Sequence, residues 1–126
     1  MKIRTKKPPR NFQVGNCEKF TMKDCGSIEL EHNEQVTFLT GSGAQYDVAR
    51  KDWGFYATPS TNGRLEQFGL RAVLIRNRNT NRYFVLLVES GKENLFEIYC
   101  EKENLECITW LDSNAACEAL RNQLRL

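Results

Sequence analysis

The sequence contains a single histidine, His32, and no C-x-x-C pair. A histidine-based catalytic triad or a zinc site therefore has few ways to assemble. The G-x-G-x-x-G, G-x-x-x-x-G-K and G-x-S-x-G motifs are missing as well, which removes the recognisable nucleotide-binding and hydrolase patterns. From these absences we expect neither a metal nor a cofactor.

The cysteines are odd in number and scattered along the chain, which argues against a disulfide framework and favours free thiols. Three of them fall on apolar positions of predicted elements and are expected to be buried. The five are Cys17, Cys25, Cys100, Cys107 and Cys117.

No apolar run approaches the roughly 20 residues that a membrane-spanning helix needs. The N-terminal segment has positive charge but no hydrophobic stretch behind it, so we expect a cytoplasmic location and no membrane span. A length of 126 residues is that of one ordinary domain.

Positive charge is concentrated at the N-terminus, where the first ten residues carry five basic and no acidic side chains. This stretch includes Pro8-Pro9 and lacks interleaved aromatic residues, so it suits a solvated tail better than a nucleic-acid contact. We predict a basic, flexible arm over residues 1–11, a single domain over residues 12–126, and no nucleic-acid partner.

Alternating apolar residues predict several strands in the first two thirds of the chain. Ile28 and Leu30, followed by Val36 and Phe38 after a polar break, predict a β-hairpin. A turn predicted at residues 41–43 then leads to a strand that begins near Tyr46 and that we expect to continue to residue 55.

Two strongly apolar runs, residues 72–75 and 83–88, are separated by a polar stretch and predict a second hairpin. Both alternating positions are apolar, so we expect these strands to be central and covered on both faces. Helices are predicted over residues 91–104 and after Asp112-Ser113-Asn114, with a strand over 107–111 between them. The order predicts an α+β fold: a mainly antiparallel or mixed sheet of about five to seven strands, with the two C-terminal-half helices packed on one face.

The densest cluster of side chains suited to ligand binding lies between residues 46 and 64. Aromatic faces with polar neighbours commonly bind sugars, and arginine side chains bind phosphates or carboxylates. We therefore predict a site for an anionic sugar derivative, or for a partner enzyme that handles one. Its residues are Arg50, Lys51, Trp53, Tyr56, Ser60, Asn62 and Arg64.

Three alternatives remain open at this point. The aromatic side chains of the cluster could fill the core while its charges pair on the surface. The chain could be a small enzyme acting on a sugar, with Asp47 or Asp52 as the acid/base. It could also be a homodimeric interaction domain that uses an apolar sheet edge or the last helix and binds no small molecule.

The run from Gln35 to Asp112, and particularly Tyr-Asp-Val-Ala-Arg-Lys-Asp-Trp-Gly-Phe-Tyr-Ala-Thr-Pro-Ser at 46–60 with Asn-Gly-Arg at 62–64, resembles a family of small bacterial proteins. Genes of that family are associated with synthesis of surface polysaccharides and sialic-acid-like sugars. The resemblance covers about two thirds of the chain. It implies accessory work near nine-carbon or nucleotide-activated sugars and transfers no catalytic residue.

Overall fold

The computed structural model describes residues 1–16 and 18–125. Within these residues, eight antiparallel strands form three small sheets, together with three helices. The strands are β1 (Lys2–Val14), β2 (Phe20–Glu29), β3 (Gln35–Leu39), β4 (Gln45–Lys51), β5 (Gly54–Ala57), β6 (Leu70–Asn77), β7 (Arg82–Glu89) and β8 (Leu105–Trp110). The helices are α1 (Arg64–Gln67), α2 (Glu93–Glu103) and α3 (Asn114–Leu124). The α+β class with antiparallel strands is confirmed, but the strands are divided among three sheets.

The N-terminal sheet is the hairpin of β1 and β2, which pair from Lys2↔Glu29 to Val14↔Phe20 with an irregularity between Thr5 and Arg10. Residues 2–5 and 10–14 pair with β2, so most of the basic segment lies in a strand. Their basic side chains meet acids on β2, as in the ion pair of Lys6 with Asp24 at 2.6 Å. The division of the chain at residue 12 stays a prediction.

The second sheet has the order β3-β4-β5, and the turn between β3 and β4 lies at residues 41–43, as predicted. Strand β3 pairs with β4 and not with β2, so the predicted hairpin of residues 28–38 is wrong. The strand predicted to run to residue 55 is interrupted by a tight turn at Asp52 and Trp53, after which Gly54 adopts φ +142°. Glycine reaches this conformation without the strain that a side chain would add.

The third sheet has the order β7-β6-β8, and the predicted β6–β7 hairpin is confirmed over the full register from Leu70↔Glu89 to Asn77↔Arg82. Strand β6 is central and buried, as at Val73, which is 0% exposed. Strand β7 is an edge strand, and its Val85 is 62% exposed. The expectation that both strands are covered on both faces holds for β6 and is wrong for β7.

Side chains on the two faces of β6 belong to two separate buried clusters. On one face Leu70 and Ala72 pack with Ala44 and with Leu65 of α1. On the other face are Val73, Ile75 and Val88, against which Phe96 of α2 and Trp110 pack. Buried apolar side chains are few for a chain of this length, so many apolar side chains lie at its surface.

Four of the five cysteines lie among the described residues, and all four are free thiols. Cys100 and Cys117 are partly buried, but Cys107 is exposed, so its predicted burial is wrong because β8 is an edge strand. Cys25 is exposed, and Cys17 lies outside the described residues.

Candidate functional site

Part of the predicted ligand site lies at the tip of the β4–β5 hairpin. Trp53 is 71% exposed and meets Tyr56 edge-to-face, with ring centroids 6.4 Å apart. The adjacent cations are engaged locally: Arg50 Nε donates to the Lys51 carbonyl at 2.9 Å, and Lys51 Nζ donates to Asn33 Oδ1 at 2.7 Å. The tip therefore presents an exposed aromatic pair. The alternative hypothesis that these two aromatic side chains fill the core is wrong.

The other predicted residues lie in the loop that leads into α1. Ser60 Oγ accepts a hydrogen bond from the Arg64 amide at 3.0 Å, and Asn62 Nδ2 donates to Asn114 Oδ1 of α3 at 2.6 Å. The Arg64 guanidinium lies over the Phe68 ring at 5.0 Å. These three side chains hold the loop against its neighbours.

Asp47 is 6% exposed on β4 and accepts a hydrogen bond from Thr37 Oγ1 at 2.6 Å. Its other carboxylate oxygen is 3.4 Å from Arg64 Nη2. The charge of a buried carboxylate is tolerated when it is paired and hydrogen-bonded, which is the environment that Asp47 has. This geometry supports a structural part for Asp47 in joining β3, β4 and the loop.

The predicted site residues therefore form two groups instead of one cleft. Asp47 and Lys51 are four residues apart on β4, which corresponds to about 13 Å along an extended strand. The turn at Trp53 lies beyond Lys51 and is therefore still farther from Asp47. Arg64 is at the Asp47 end of this distance.

The two aspartates proposed as acid/base candidates are likewise separated. Asp52 is exposed in the turn, where its Oδ1 is 2.8 Å from His32 Nδ1. No hydrogen bond among the described residues joins His32 to a serine, threonine or cysteine, as a nucleophile activated by a histidine would require. No observation on these residues favours the enzymatic hypothesis, which stays a prediction.

A large apolar surface is the feature that the sequence patterns did not reveal. Along β7, Tyr83, Val85 and Leu87 point to the same side of the sheet as Leu74 of β6, because they lie opposite alternate residues of that strand. These side chains continue onto β3 and β4, where a depression of about 380 Å³ is lined by residues of both sheets. We call this surface the apolar face and define it by Phe38, Leu39, Tyr46, Leu74, Tyr83, Val85 and Leu87.

The apolar face is open to solvent, since Phe38, Leu39 and Tyr83 are each more than half exposed. Partial burial nevertheless raises the pKa of Tyr46, which lines the depression. A second depression of about 370 Å³ shares Phe38 and extends the apolar surface towards Ile28. The signal in the sequence is the apolar residue at both alternating positions of β7, which indicates a cover but not its source.

Two further observations limit the kind of site. None of the helices in the described chain is long and apolar enough to span a membrane. In residues 1–16 and 18–125, no three histidine, cysteine, aspartate or glutamate side chains are grouped as a metal would need.

Comparison with known proteins gives no match: no protein family, no curated protein and no solved structure matches this chain.

Proposed function

We propose that this chain is a protein-interaction module that forms a homodimer through the apolar face. The observation that carries the proposal is the exposure of a continuous apolar surface over two sheets. Isolated exposed apolar side chains are ordinary, but contiguous patches of this kind mark interaction surfaces. Strand β7 adds an unpaired edge with an apolar sequence, a feature that favours association.

The extent of the accessible surface supports this proposal. The chain exposes 9186 Å², whereas a compact monomer of 14.6 kDa exposes about 6,900 Å². The excess of about 2,300 Å² includes the β1–β2 hairpin, whose two faces are both largely exposed. A homodimer of the obligate type buries about 1,000–2,500 Å² per subunit, so an interface of that size would account for much of the remainder.

The charges around the apolar face favour a second copy of the same chain as the partner. Two identical surfaces repel each other when their rims carry unpaired charge. Here the rim charges are neutralised within the chain, by Arg76 with Glu106 at 2.8 Å and by Lys92 with Glu89 at 2.5 Å. The apolar faces of two chains can then pack against each other across a two-fold axis.

The test is the mass in solution, measured by sedimentation equilibrium or light scattering. We expect about twice 14.6 kDa for the unmodified chain and a shift to the monomer for Val85→Asp, because a carboxylate at the centre of the interface would lose its hydration. Leu95→Asp is the matched control, since Leu95 is 64% exposed but lies on α2. Circular dichroism checks that both variants are folded. A monomeric parent chain would contradict the proposal, as would equal dissociation of both variants.

A second candidate function is binding of an anionic sugar derivative at the hairpin tip, for which the exposed pair of Trp53 and Tyr56 is the specific support. An open aromatic face stacks on sugar rings, and Lys51 next to it supplies positive charge. The family resemblance suggests the same class of ligand. Accessory work on surface sugars and a dimeric assembly are compatible, because the tip and the apolar face are different surfaces.

This second function predicts that N-acetylneuraminate or UDP-N-acetylglucosamine quenches the fluorescence of Trp53 and raises the melting temperature by mass action. Trp53→Ala should remove the thermal shift, whereas Leu95→Ala should leave it unchanged. A thermal shift that persists in Trp53→Ala would contradict a sugar site at the tip. The absence of a shift in the parent chain would contradict it as well.

We propose that the protein acts in the cytoplasm. Four cysteines of the described residues, Cys25, Cys100, Cys107 and Cys117, are free thiols. Free thiols of this kind are typical of reducing compartments.

A further inference from the structure

A separate cavity of about 300 Å³ lies on the opposite side of the β6–β7 sheet from the apolar face. It is open to solvent on one side and is bordered by Gly15 and Asn16 after β1, by the sheet and by the C-terminal half of α2. Its volume and apolar lining are those of sites for small organic molecules. The apolar walls are Val14, Phe20, Ile75, Phe84, Leu86 and Leu105.

One ionisable side chain of the cavity stands out, namely Glu103 in the last turn of α2. It is 8% exposed, and its Oε2 accepts a hydrogen bond from the Asn16 amide at 2.7 Å. Asn16 Nδ2 in turn donates to the Glu103 carbonyl at 2.9 Å. These contacts hold the Glu103 carboxylate against Gly15 and Asn16, which line the cavity together with Glu103.

No lysine, arginine or histidine in the described part of the chain forms an ion pair with Glu103. The neighbouring Lys102 is 3.5 Å from Glu18 instead. A buried carboxylate without a cationic partner is costly, and a positive charge placed beside it recovers much of that cost.

The other polar side chains that line the cavity, Asn16, Asn77 and Tyr99, are of uncharged types, so Glu103 is the one acidic or basic residue of the lining. Burial, and secondarily the charge of Glu103, raise the pKa of Tyr99, so its phenol stays neutral at ordinary pH. Asn77 Oδ1 already accepts from the amides of Asn79 and Thr80. An anion would meet the negative field of Glu103 with no cation of the lining to offset it.

We propose that this cavity binds a small primary amine with an apolar body, whose ammonium group pairs with Glu103 while the body lies between Phe20 and Leu86. The inference does not depend on the proposed dimer, since it uses the other face of the sheet. It also differs from the sugar hypothesis in both the place and the charge of the ligand.

The first test compares 2-phenylethylamine with 2-phenylethanol, which has nearly the same shape and no charge, by calorimetry and by NMR titration of the unmodified chain. We expect the amine to bind roughly 10–100-fold more tightly, the worth of a hydrogen bond to a charged group. The amide signals of Asn16, Asn77 and Leu105 should shift. Equal affinities, no binding, or shifts confined to other residues would overturn the proposal.

The second test changes the protein. Glu103→Gln keeps an oxygen acceptor for the Asn16 amide but removes the charge, so binding of the amine should fall to that of the alcohol. Glu101→Gln, on the exposed side of the same helix, is the matched control and should bind as the parent does. Leu86→Phe fills the cavity without touching Glu103 and should weaken both probes. Unchanged affinity for the amine in Glu103→Gln would overturn the proposal.

Discussion

Glu89, at the end of β7, joins the β3–β4 turn, which is distant in the sequence, to the start of α2. Its carboxylate accepts hydrogen bonds from Thr40 Oγ1 and, at 2.8 Å, from Ser42 Oγ in the β3–β4 turn. Lys92 Nζ, at the start of α2, is 2.5 Å away. These contacts, with that of Lys92 first, lower the pKa of Glu89 from its usual value to about 2.

This lowered pKa makes a prediction about acid stability. A carboxylate with a lower pKa in the folded state adds stability above its unfolded pKa of about 4.3, and that contribution is lost as the pH falls towards the folded pKa. For Glu89 the window extends from about pH 5 down to about pH 2. Glu89→Gln should therefore lower the urea midpoint at pH 7, and the difference from the parent should shrink as the pH falls through this window.

Glu97→Gln is the control for this measurement, because Glu97 is exposed on α2. It should leave the midpoint near that of the parent at both ends of the pH range. A difference between Glu89→Gln and the parent that is as large at pH 2 as at pH 7 would contradict the assigned role.

Local residue roles were predictable from the sequence, and long-range ones were not. Ser113 accepts a hydrogen bond from the Ala116 amide at 3.0 Å, as the predicted N-cap requires. The partners of Glu89 in the β3–β4 turn lie 47 and 49 positions away. No periodic pattern connects residues at such separations, because the pairing depends on how the sheets are arranged.

At the scale of elements, the basic N-terminal run lies in the β1–β2 hairpin. In isolation, five basic residues without acids predict a solvated tail. In the structure, Arg4 lies 3.2 Å from Glu29, and Lys6 and Arg10 both lie near Asp24. The acids that balance the run are on the next strand, so charge counted along the chain did not show the pairing.

Gly26 is the position where this hairpin is most sensitive to substitution. Its φ is +139°, and a Cβ there would lie 2.0 Å from the carbonyl oxygen of Arg4 on the paired strand. Gly26→Ala should therefore separate β1 from β2 locally and destabilise the chain by about 1–3 kcal/mol. Hydrogen exchange of the β1 amides and a urea titration measure the two effects.

Gly41→Ala provides the comparison, because a Cβ at Gly41 meets nothing within 4 Å and its φ is not in the left-handed region. We expect exchange in β1 to be unchanged by this variant. Equal protection of the β1 amides in Gly26→Ala and Gly41→Ala would show that the close approach of the strands does not govern the hairpin.

Strand β7 was predicted correctly in its position and wrongly in its surroundings. Apolar residues on both alternating positions are typical of a strand covered on both faces. Here Phe84 and Leu86 line the cavity beside α2, while Val85 and Leu87 face solvent. The pattern indicates that both faces of β7 need to be buried. It does not indicate whether the same chain or a partner buries them.

At the scale of the whole molecule, the amino-acid composition did not predict the exposed apolar face. A hydrophobic fraction of 40% is ordinary for a globular chain. Composition counts apolar residues without saying where they lie, and in this fold three small sheets leave many of them outside the two buried clusters. The candidate site was located by side-chain type, which found the exposed Trp53 but could not find a surface assembled from separate strands.

An interface on the apolar face would also connect folding to association. The buried clusters of the single chain are small, so burial between two copies would add to the stability of each. For that reason the Val85→Asp variant is expected to be less stable than the parent as well as monomeric, although Val85 itself is exposed in one chain.

The two tryptophans lie in opposite environments, and this gives the protein two built-in optical reporters. Trp110 is packed edge-to-face against Phe96, with the Arg71 guanidinium 3.9 Å from its ring centroid, whereas Trp53 is open to water. Emission from Trp110 should be blue-shifted and shielded from soluble quenchers, and emission from Trp53 red-shifted and readily quenched. Spectra of single-tryptophan variants would thus report separately on the sheet core and on the hairpin tip.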